Sequence, residues 1–237
     1  MMEASYYDWE ASFLTLTYDN GTVPLYGLVP NDLTLWLKRF RKRVDRKLTF
    51  YAVGEYGRRT MRPHFHVGIF GIRLPVGLHS RSFGWDRGNV YISEFDSARA
   101  RYCTKHLVKV NRHFRALERQ GWQPEFARMS TRPALGLRFV ERYAKRFLTE
   151  EGSKKLAIMQ DVPETIFLVD REYPLGRYLR GKMREALGAD PRMPLFAQAL
   201  RQVERPCDRF DRREVRRKHS QHKAEIFYSR VLDSEYL

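Results

Sequence analysis

Two histidines separated by one residue, His64 and His66, stand within a run of strand-forming residues. Successive side chains of a β-strand face opposite sides, so these imidazoles are expected on one side of a strand, about 7 Å apart. Two imidazoles placed in this way can bind one metal ion. Taken alone, they are equally compatible with a structural His-Phe-His segment whose imidazoles only pack in a sheet.

A carboxylate strengthens the metal interpretation. Glu55 ends the preceding predicted strand, in GEYG (54–57), and an antiparallel pairing could bring it to the face of the two histidines. Two imidazoles and one carboxylate leave coordination positions open for water and substrate oxygens. Such a set suits Mg²⁺ or Mn²⁺ when a phosphate is the target, so we predict a metal site made of Glu55, His64 and His66.

A tyrosine and a lysine form a second pattern, in RYCTKH (101–106). On a helix, Tyr102 and Lys105 are three residues apart and project from one face. A phenol ordinarily has a pKa of about 10, and it needs a base or a nearby cation to act as a nucleophile at neutral pH. We therefore expect Tyr102 to attack a phosphodiester, while Lys105 stabilises the phenolate or holds the scissile phosphate.

The elements that must position these residues are indicated by hydrophobic periodicity. The predicted strands cover residues 11–19, 48–55, 64–70 and 89–95, and the second and third form a hairpin. The predicted helices are one capped by Asn31, one over 97–110 and one over about 135–150. This order of elements favours an α+β fold, a compact antiparallel sheet with helices on one side.

A domain boundary is predicted where Gly152-Ser153-Lys154-Lys155 interrupts the helical pattern. Residues 1–155 are expected to form the domain that carries the site. Residues 156–237 are expected to form a basic, mostly helical accessory region, which is partly disordered.

The charge balance favours a polyanionic partner. The chain has 44 Lys and Arg against 28 Asp and Glu, a formal net charge of +16, and a pI near 10.1. A solvated basic surface is the alternative. We expect nucleic acid to contact a basic helix face and positions near the site, namely Lys38, Arg39, Arg41, Lys42, Arg43, Arg58, Arg59, Arg62 and Arg112. The aromatic residues expected to stack on bases are Tyr56, Trp85 and Phe95.

Several classes of protein are excluded by composition. The two cysteines, Cys103 and Cys207, are far apart, which argues against a disulfide framework or a zinc knuckle and fits a reducing cytoplasm. No apolar run approaches the roughly 20 residues that cross a bilayer, and the first ten residues do not resemble a signal peptide. No glycine-rich phosphate loop is present, so any helicase activity is expected from a host partner.

Three segments together resemble, in order and spacing, the motifs of HUH replication initiators: FLTLTY (13–18), RPHFHVGIFG (62–71) and YCTK (102–105). The details are similar to the replication initiators of gokushovirus-like Microviridae phages, whose chains also pair GEYG with RPHxH. Further similar segments are LTYDN (16–20), WLKRFRKR (36–43) and MSTRPALG (129–136). The resemblance covers about residues 11–148.

This resemblance implies a ferredoxin-like antiparallel sheet of about five strands. It implies that His64, His66 and Glu55 hold the metal ion, that Tyr102 is the nucleophile and that Lys105 is its positioning cation. The implied enzyme nicks single-stranded DNA at a phage replication origin and starts rolling-circle replication. It leaves a 5′-phosphotyrosine and a free 3′ hydroxyl that a host polymerase can extend.

One departure and two alternatives remain open. Many proteins of this group carry two tyrosines four residues apart, and the partner position here is Ala98. Termination would then use a second protomer, a second use of Tyr102, or another tyrosine such as Tyr91. A plasmid initiator, relaxase or single-tyrosine transposase would share the site but recognise other DNA. A basic nucleic-acid-binding protein without catalysis is the alternative from a different class.

Overall fold

The computed structural model describes residues 1–57, 59–108, 118–169 and 171–203, with side chains described for all of these except 105–108 and 201–203. Arg58 and Arg112, two of the predicted DNA-contacting residues, lie outside the described residues. The side chain of Lys105 also lies outside them, and so does the C-terminal basic run from residue 204 onward.

Six strands form one antiparallel sheet. They are β1 (Ala11–Thr17), β2 (Thr49–Tyr56), β3 (Pro63–Phe70), β4 (Gly77–Ser80), β5 (Asn89–Glu94) and β6 (Phe126–Met129). Their order across the sheet is β4-β5-β1-β3-β2-β6, and β2 and β3 form the predicted hairpin. The predicted α+β fold with an antiparallel sheet is confirmed, and the sheet has six strands where about five were expected.

Seven helices accompany the sheet within the described residues. They are α1 (Met2–Tyr6), α2 (Pro30–Val44), α3 (Ser97–Val108), α4 (Leu137–Ala144), α5 (Glu150–Met159), α6 (Gly176–Ala186) and α7 (Leu195–Val203), with a short 3₁₀ helix at Lys145–Leu148 after α4. A separate two-stranded sheet pairs β7 (Thr165–Leu168) with β8 (Arg171–Pro174). No helix in the described part of the chain is long and apolar enough to cross a bilayer.

Helix α2 closes one face of the large sheet. Its buried side chains, among them Trp36 and Phe40, share a core with Leu14 and Leu16 of β1 and Phe65 of β3. The helix begins at Pro30, because the fixed φ of proline suits a first turn. The prediction of an Asn31 cap is wrong, since the N-cap is Val29 and no side chain caps this helix.

Helix α3 lies on the other face. Cys103 of α3 packs against Phe13 of β1 and Val53 of β2, which point away from the α2 core. The structure therefore differs from the expectation of helices on one side of the sheet. The reason is that β1 has buried side chains on both of its faces, and each face needs a cover of its own.

A second apolar core lies beside the sheet. It joins Val140 of α4, Ile166 of β7 and Met183 of α6, and α1 packs against it. Helix α5 runs through the predicted break at 152–155, and the side chain of Thr149 caps its N-terminus by accepting a hydrogen bond from the Gly152 N–H. This core draws on residues before and after position 155. The division into two domains at that position stays a prediction.

A buried ion pair holds the second core together. Arg184 donates two hydrogen bonds to Asp161, from Nε to Oδ1 at 2.8 Å and from Nη2 to Oδ2 at 2.6 Å, and Arg180 donates a third. Burial alone would raise the pKa of Asp161. The hydrogen bonds from Arg184 and from the backbone N–H groups of Val162 and Leu195 outweigh burial and lower it to about 2.

We predict that Asp161→Asn lowers the free energy of unfolding by about 2 kcal/mol at neutral pH. The folded pKa lies below the value of an unfolded chain, which is near 4. The stabilisation is therefore fully present above about pH 4 and is lost as the pH falls through 2. Urea unfolding of the wild type and the variant at several pH values should show their difference shrinking in that window.

Glu151→Gln is the matched control, because Glu151 forms an exposed helix pair with Lys155 that should contribute little. A difference between wild type and Asp161→Asn that stays constant from pH 7 to pH 2 would contradict the role given to this carboxylate.

Candidate active site

The register of the hairpin brings the predicted carboxylate to the predicted histidines. Glu55 of β2 is paired directly with His64 of β3. Residues directly opposite each other in antiparallel strands share a face, and His66 shares it as well because it lies two residues along β3. This face is the one over which α3 lies.

The three side chains meet at one carboxylate oxygen. Glu55 Oε1 lies 3.0 Å from His64 Nε2 and 3.0 Å from His66 Nε2. One potential ligand atom from each residue lies within 4.8 Å of the other two. Glu55 is only 2% exposed, whereas the side chain of His64 is 17% exposed, so the group opens to solvent on the side of His64.

These distances fit a small divalent ion. Ligand atoms that bind Mg²⁺ at about 2.1 Å and at right angles to one another lie about 3 Å apart, which matches both separations from Glu55 Oε1. His64 Nδ1 lies 3.2 Å from the carbonyl oxygen of Arg62, which can only accept a hydrogen bond. A proton on Nδ1 leaves Nε2 as the ligand atom, the usual arrangement of a metal-binding histidine.

The carboxylate of Glu55 is ionised despite its burial. Burial alone would raise its pKa, but hydrogen bonds from His64 and His66, the charge of His66 and a hydrogen bond from Tyr102 hold the pKa well below its usual range. The same residues therefore keep a negative charge at the point where a cation would bind.

His66 is held from two further directions. Its Nδ1 lies 2.9 Å from Thr15 Oγ1 of β1, and Thr15 is paired with His66 in the sheet. The Phe13 ring stacks on the imidazole, with centroids 5.4 Å apart. No sequence pattern singles out Thr15, although the alternation in FLTLTY places it on the face opposite Leu14 and Leu16.

Helix α3 brings Tyr102 to the same oxygen. The hydroxyl of Tyr102 donates a hydrogen bond of 2.8 Å to Glu55 Oε1, and its ring lies edge-on to His66 at 5.2 Å. Cys103, the next residue, is buried beneath the helix and so fixes its rotation. Burial raises the pKa of the Cys103 thiol to about 12, so this cysteine is not a nucleophile. Tyr102 itself is 42% exposed and accessible to a substrate.

The predicted DNA-contacting residues do not form one surface. The basic side chains of α2 are exposed, but α2 covers the face of the sheet opposite Glu55. One of them, Arg39, is bound to the Gly84 carbonyl and to Asp86. Arg59 and Arg62 lie in the connector between β2 and β3, at the end of the sheet that carries Glu55.

Two of the three predicted stacking residues are wrong. Trp85 is fully buried, and its indole N–H donates to the Thr17 carbonyl. Tyr56 is 5% exposed, and its hydroxyl accepts from the Leu28 N–H and donates to the Gln123 carbonyl. Phe95 is partly buried against Phe70. These rings build the structure around the site, since each large ring is more stable when its apolar area is removed from water.

The comparisons with known proteins agree with the motifs. Residues 11–111 match the ORF2 family model of replication-associated proteins, a span that runs from β1 to beyond Tyr102. The chain is 28% identical over 153 residues to "Replication-associated protein VP4" of Bdellovibrio phage phiMH2K, covering 55% of this chain and 48% of that protein. It is 31% identical over 168 residues to "Replication-associated protein ORF2" of Spiroplasma virus 4, covering 59% and 50%.

A third relative, "Replication-associated protein ORF4" of Chlamydia phage 1, is 26% identical over 211 residues, covering 80% of this chain and 49% of that protein. The chain thus spans about half the length of the curated relatives it matches. No solved structure matches it. The predicted resemblance to replication-associated proteins of Microviridae-like phages is confirmed.

We predict that Thr15→Val weakens Mn²⁺ binding by roughly 10- to 100-fold, because the His66 imidazole would lose the hydroxyl that orients it. Thr15→Ser keeps the hydroxyl and should stay near the wild-type affinity. Calorimetric titration of the folded variants with Mn²⁺ checks both values. Equal affinities for the valine and serine variants would show that the hydroxyl does not position His66.

Proposed function

We propose that this chain is a phage-type replication initiator that nicks single-stranded DNA at an origin through a covalent bond between Tyr102 and the DNA. The observation that carries the proposal is the convergence of three groups on Glu55 Oε1: two imidazole nitrogens and the hydroxyl of Tyr102. Similarity to replication-associated proteins of phages supports the biological role.

Glu55, His64 and His66 are the residues that would hold a divalent cation, Mg²⁺ or Mn²⁺. When bound, the cation neutralises charge on a non-bridging oxygen of the scissile phosphate. The chain's contribution is to present one carboxylate oxygen and two imidazole nitrogens at fixed positions on a rigid hairpin. A site built on strands keeps such a geometry better than one on loops.

In the proposed reaction, the hydroxyl oxygen of Tyr102 attacks phosphorus. A bond forms between this oxygen and phosphorus, and the bond between phosphorus and the 3′ oxygen breaks. The leaving 3′ oxygen takes up a proton from water, and the DNA 5′ phosphate stays on the tyrosine. Reversal, in which a 3′ hydroxyl attacks the phosphotyrosine, rejoins DNA and releases Tyr102.

The proton of Tyr102 leaves to solvent in this proposal. Glu55 accepts a hydrogen bond from Tyr102 in the structure, but its lowered pKa makes it a poor proton acceptor. Tyr102 is 42% exposed, so water reaches its hydroxyl. Lys105 follows one turn later in α3 and is assigned the role of stabilising the phenolate or the scissile phosphate.

Single-stranded DNA is the proposed partner, and Arg59 and Arg62 are its nearest candidate phosphate contacts among the described residues. The guanidinium of Arg62 donates to two neutral acceptors, the Tyr18 carbonyl and the Asn20 side chain, so its charge stays available to a phosphate. The free 3′ hydroxyl would be extended by a host polymerase, with a host helicase opening the duplex in the host cytoplasm. The basic face of α2 would contact DNA only beyond the site.

We predict that Tyr102→Phe abolishes formation of a covalent protein–DNA adduct while leaving DNA affinity within about twofold. The phenyl ring keeps the packing against His66 but has no oxygen to attack phosphorus. The assay incubates labelled single-stranded origin DNA with protein and Mn²⁺, denatures the mixture, and resolves the adduct on a gel.

Tyr178→Phe serves as the control, since Tyr178 is an exposed tyrosine of α6 outside the site. A Tyr102→Phe chain that still forms the adduct would move the nucleophile to another residue. Binding without any adduct in the wild type would favour a non-catalytic DNA-binding protein.

We predict that Glu55→Gln lowers metal-dependent nicking by roughly 100-fold or more, because the amide removes the only carboxylate of the triad. Glu94→Gln, an exposed position of β5 on the same sheet, should leave nicking unchanged. Nicking rates over a Mn²⁺ titration and thermal unfolding of each variant check this. A Glu55→Gln chain that unfolds at ordinary temperature would instead give the triad a structural role.

A further inference from the structure

A second tyrosine shares the face of the sheet that carries the site. Tyr91 of β5 is paired with Thr15 of β1, and Thr15 is paired with His66 of β3. Residues opposite one another in this way form a row across one face. Two strand spacings separate Tyr91 from His66, a distance of about 10 Å between their Cα atoms.

The side chain of Tyr91 is not used by the fold. It is 50% exposed, while its neighbours Val90 and Ile92 are fully buried on the α2 side of the sheet. Leu78 of β4, paired with Tyr91, is 68% exposed and extends the apolar surface to the edge of the sheet. Tyr91 and Leu78, which we call the β4–β5 platform, thus present an aromatic ring and an aliphatic group side by side.

The position of the platform identifies what it would bind. It continues the row of His66 without a step, so any polymer held at the triad and running along this row would pass over it. The triad end of the sheet is bordered by Arg62, which has a charge available for a phosphate. A ring and a neighbouring cation are the two components with which proteins hold single-stranded nucleic acid, by base stacking and phosphate contact.

We propose that the β4–β5 platform stacks a nucleobase of the single strand whose phosphodiester is held at Glu55, His64 and His66, with Tyr91 as the stacking ring. This inference rests on the proposed function and adds a specificity surface to it. Tyr91 acts through its ring and not its hydroxyl, because its strand position sets it to one side of the triad, whereas Tyr102 contacts the triad directly. The platform thereby fixes which phosphodiester faces Tyr102.

The affinity test separates ring from hydroxyl. In a Tyr102→Phe background, which binds without cleaving, a fluorescein-labelled oligothymidylate is titrated and followed by anisotropy. Tyr91→Ala should weaken binding roughly 5- to 100-fold, the usual effect of removing one base–aromatic stack. Tyr91→Phe should bind like the parent, and so should the control Tyr178→Ala. Thermal unfolding establishes that each variant is folded.

Photocrosslinking gives an independent readout. Oligonucleotides carrying a single 5-iodouracil at successive positions are bound to the same protein, irradiated, digested with trypsin and analysed by mass spectrometry. The platform predicts a crosslink at Tyr91, in the peptide of residues 88–99, from one nucleotide position only. The crosslink should persist in Tyr91→Phe and disappear in Tyr91→Ala.

Three results would overturn the platform. The first is parental affinity in Tyr91→Ala together with no crosslink at Tyr91. The second is a Tyr91→Phe chain, with Tyr102 intact, that nicks normally but no longer joins strands, which would make the Tyr91 hydroxyl a second nucleophile. The third is a change of oligomeric state in Tyr91→Ala by light scattering at unchanged DNA affinity. Loss of all single-strand binding by the parent would instead refute the proposed function itself.

Discussion

The structure of the site depends on one buried negative charge. Glu55 is 2% exposed, and a carboxylate removed from water in this way is stable only when hydrogen-bond donors or a cation surround it. His64, His66 and Tyr102 supply the donors, and they come from two different elements, β3 and α3. The register of the hairpin is therefore under a strict constraint, since a shift by one residue would turn Glu55 into the α2 core.

Much of this site could be predicted from local pattern. The period of two along a strand places His64 and His66 on one side, and the short connector between β2 and β3 allows only a hairpin, so Glu55 has to lie near them. The strands themselves begin and end within about two residues of their predicted bounds. These properties depend on residues close together in the chain, which is why the sequence carries them. The roles of the site residues stay predictions.

The remaining errors concern contacts between distant parts of the chain. Trp85 has the composition of an exposed stacking residue in a polar, glycine-rich stretch, yet it is fully buried because its indole N–H reaches the Thr17 carbonyl 68 residues away. The alternation of β1 indicates buried and exposed faces but not that both are covered, so the position of α3 opposite α2 could not be predicted. Gly152 suggests a break, but Thr149 supplies a helix cap there.

The two faces of the sheet have different physical roles. The α2 face is a closed apolar core, whose fully buried rings fix the strand positions. The other face is covered by α3 only in part, so that exposure rises across one row from Glu55 at 2% and His66 at 9% to Tyr91 at 50%. A long polymer cannot enter a closed pocket, but it can lie along an open sheet face and present one phosphate at its buried end. The partial cover by α3 thus reconciles an ionised, buried carboxylate with a substrate the size of DNA, because the helix that excludes water from Glu55 is also the one that carries Tyr102.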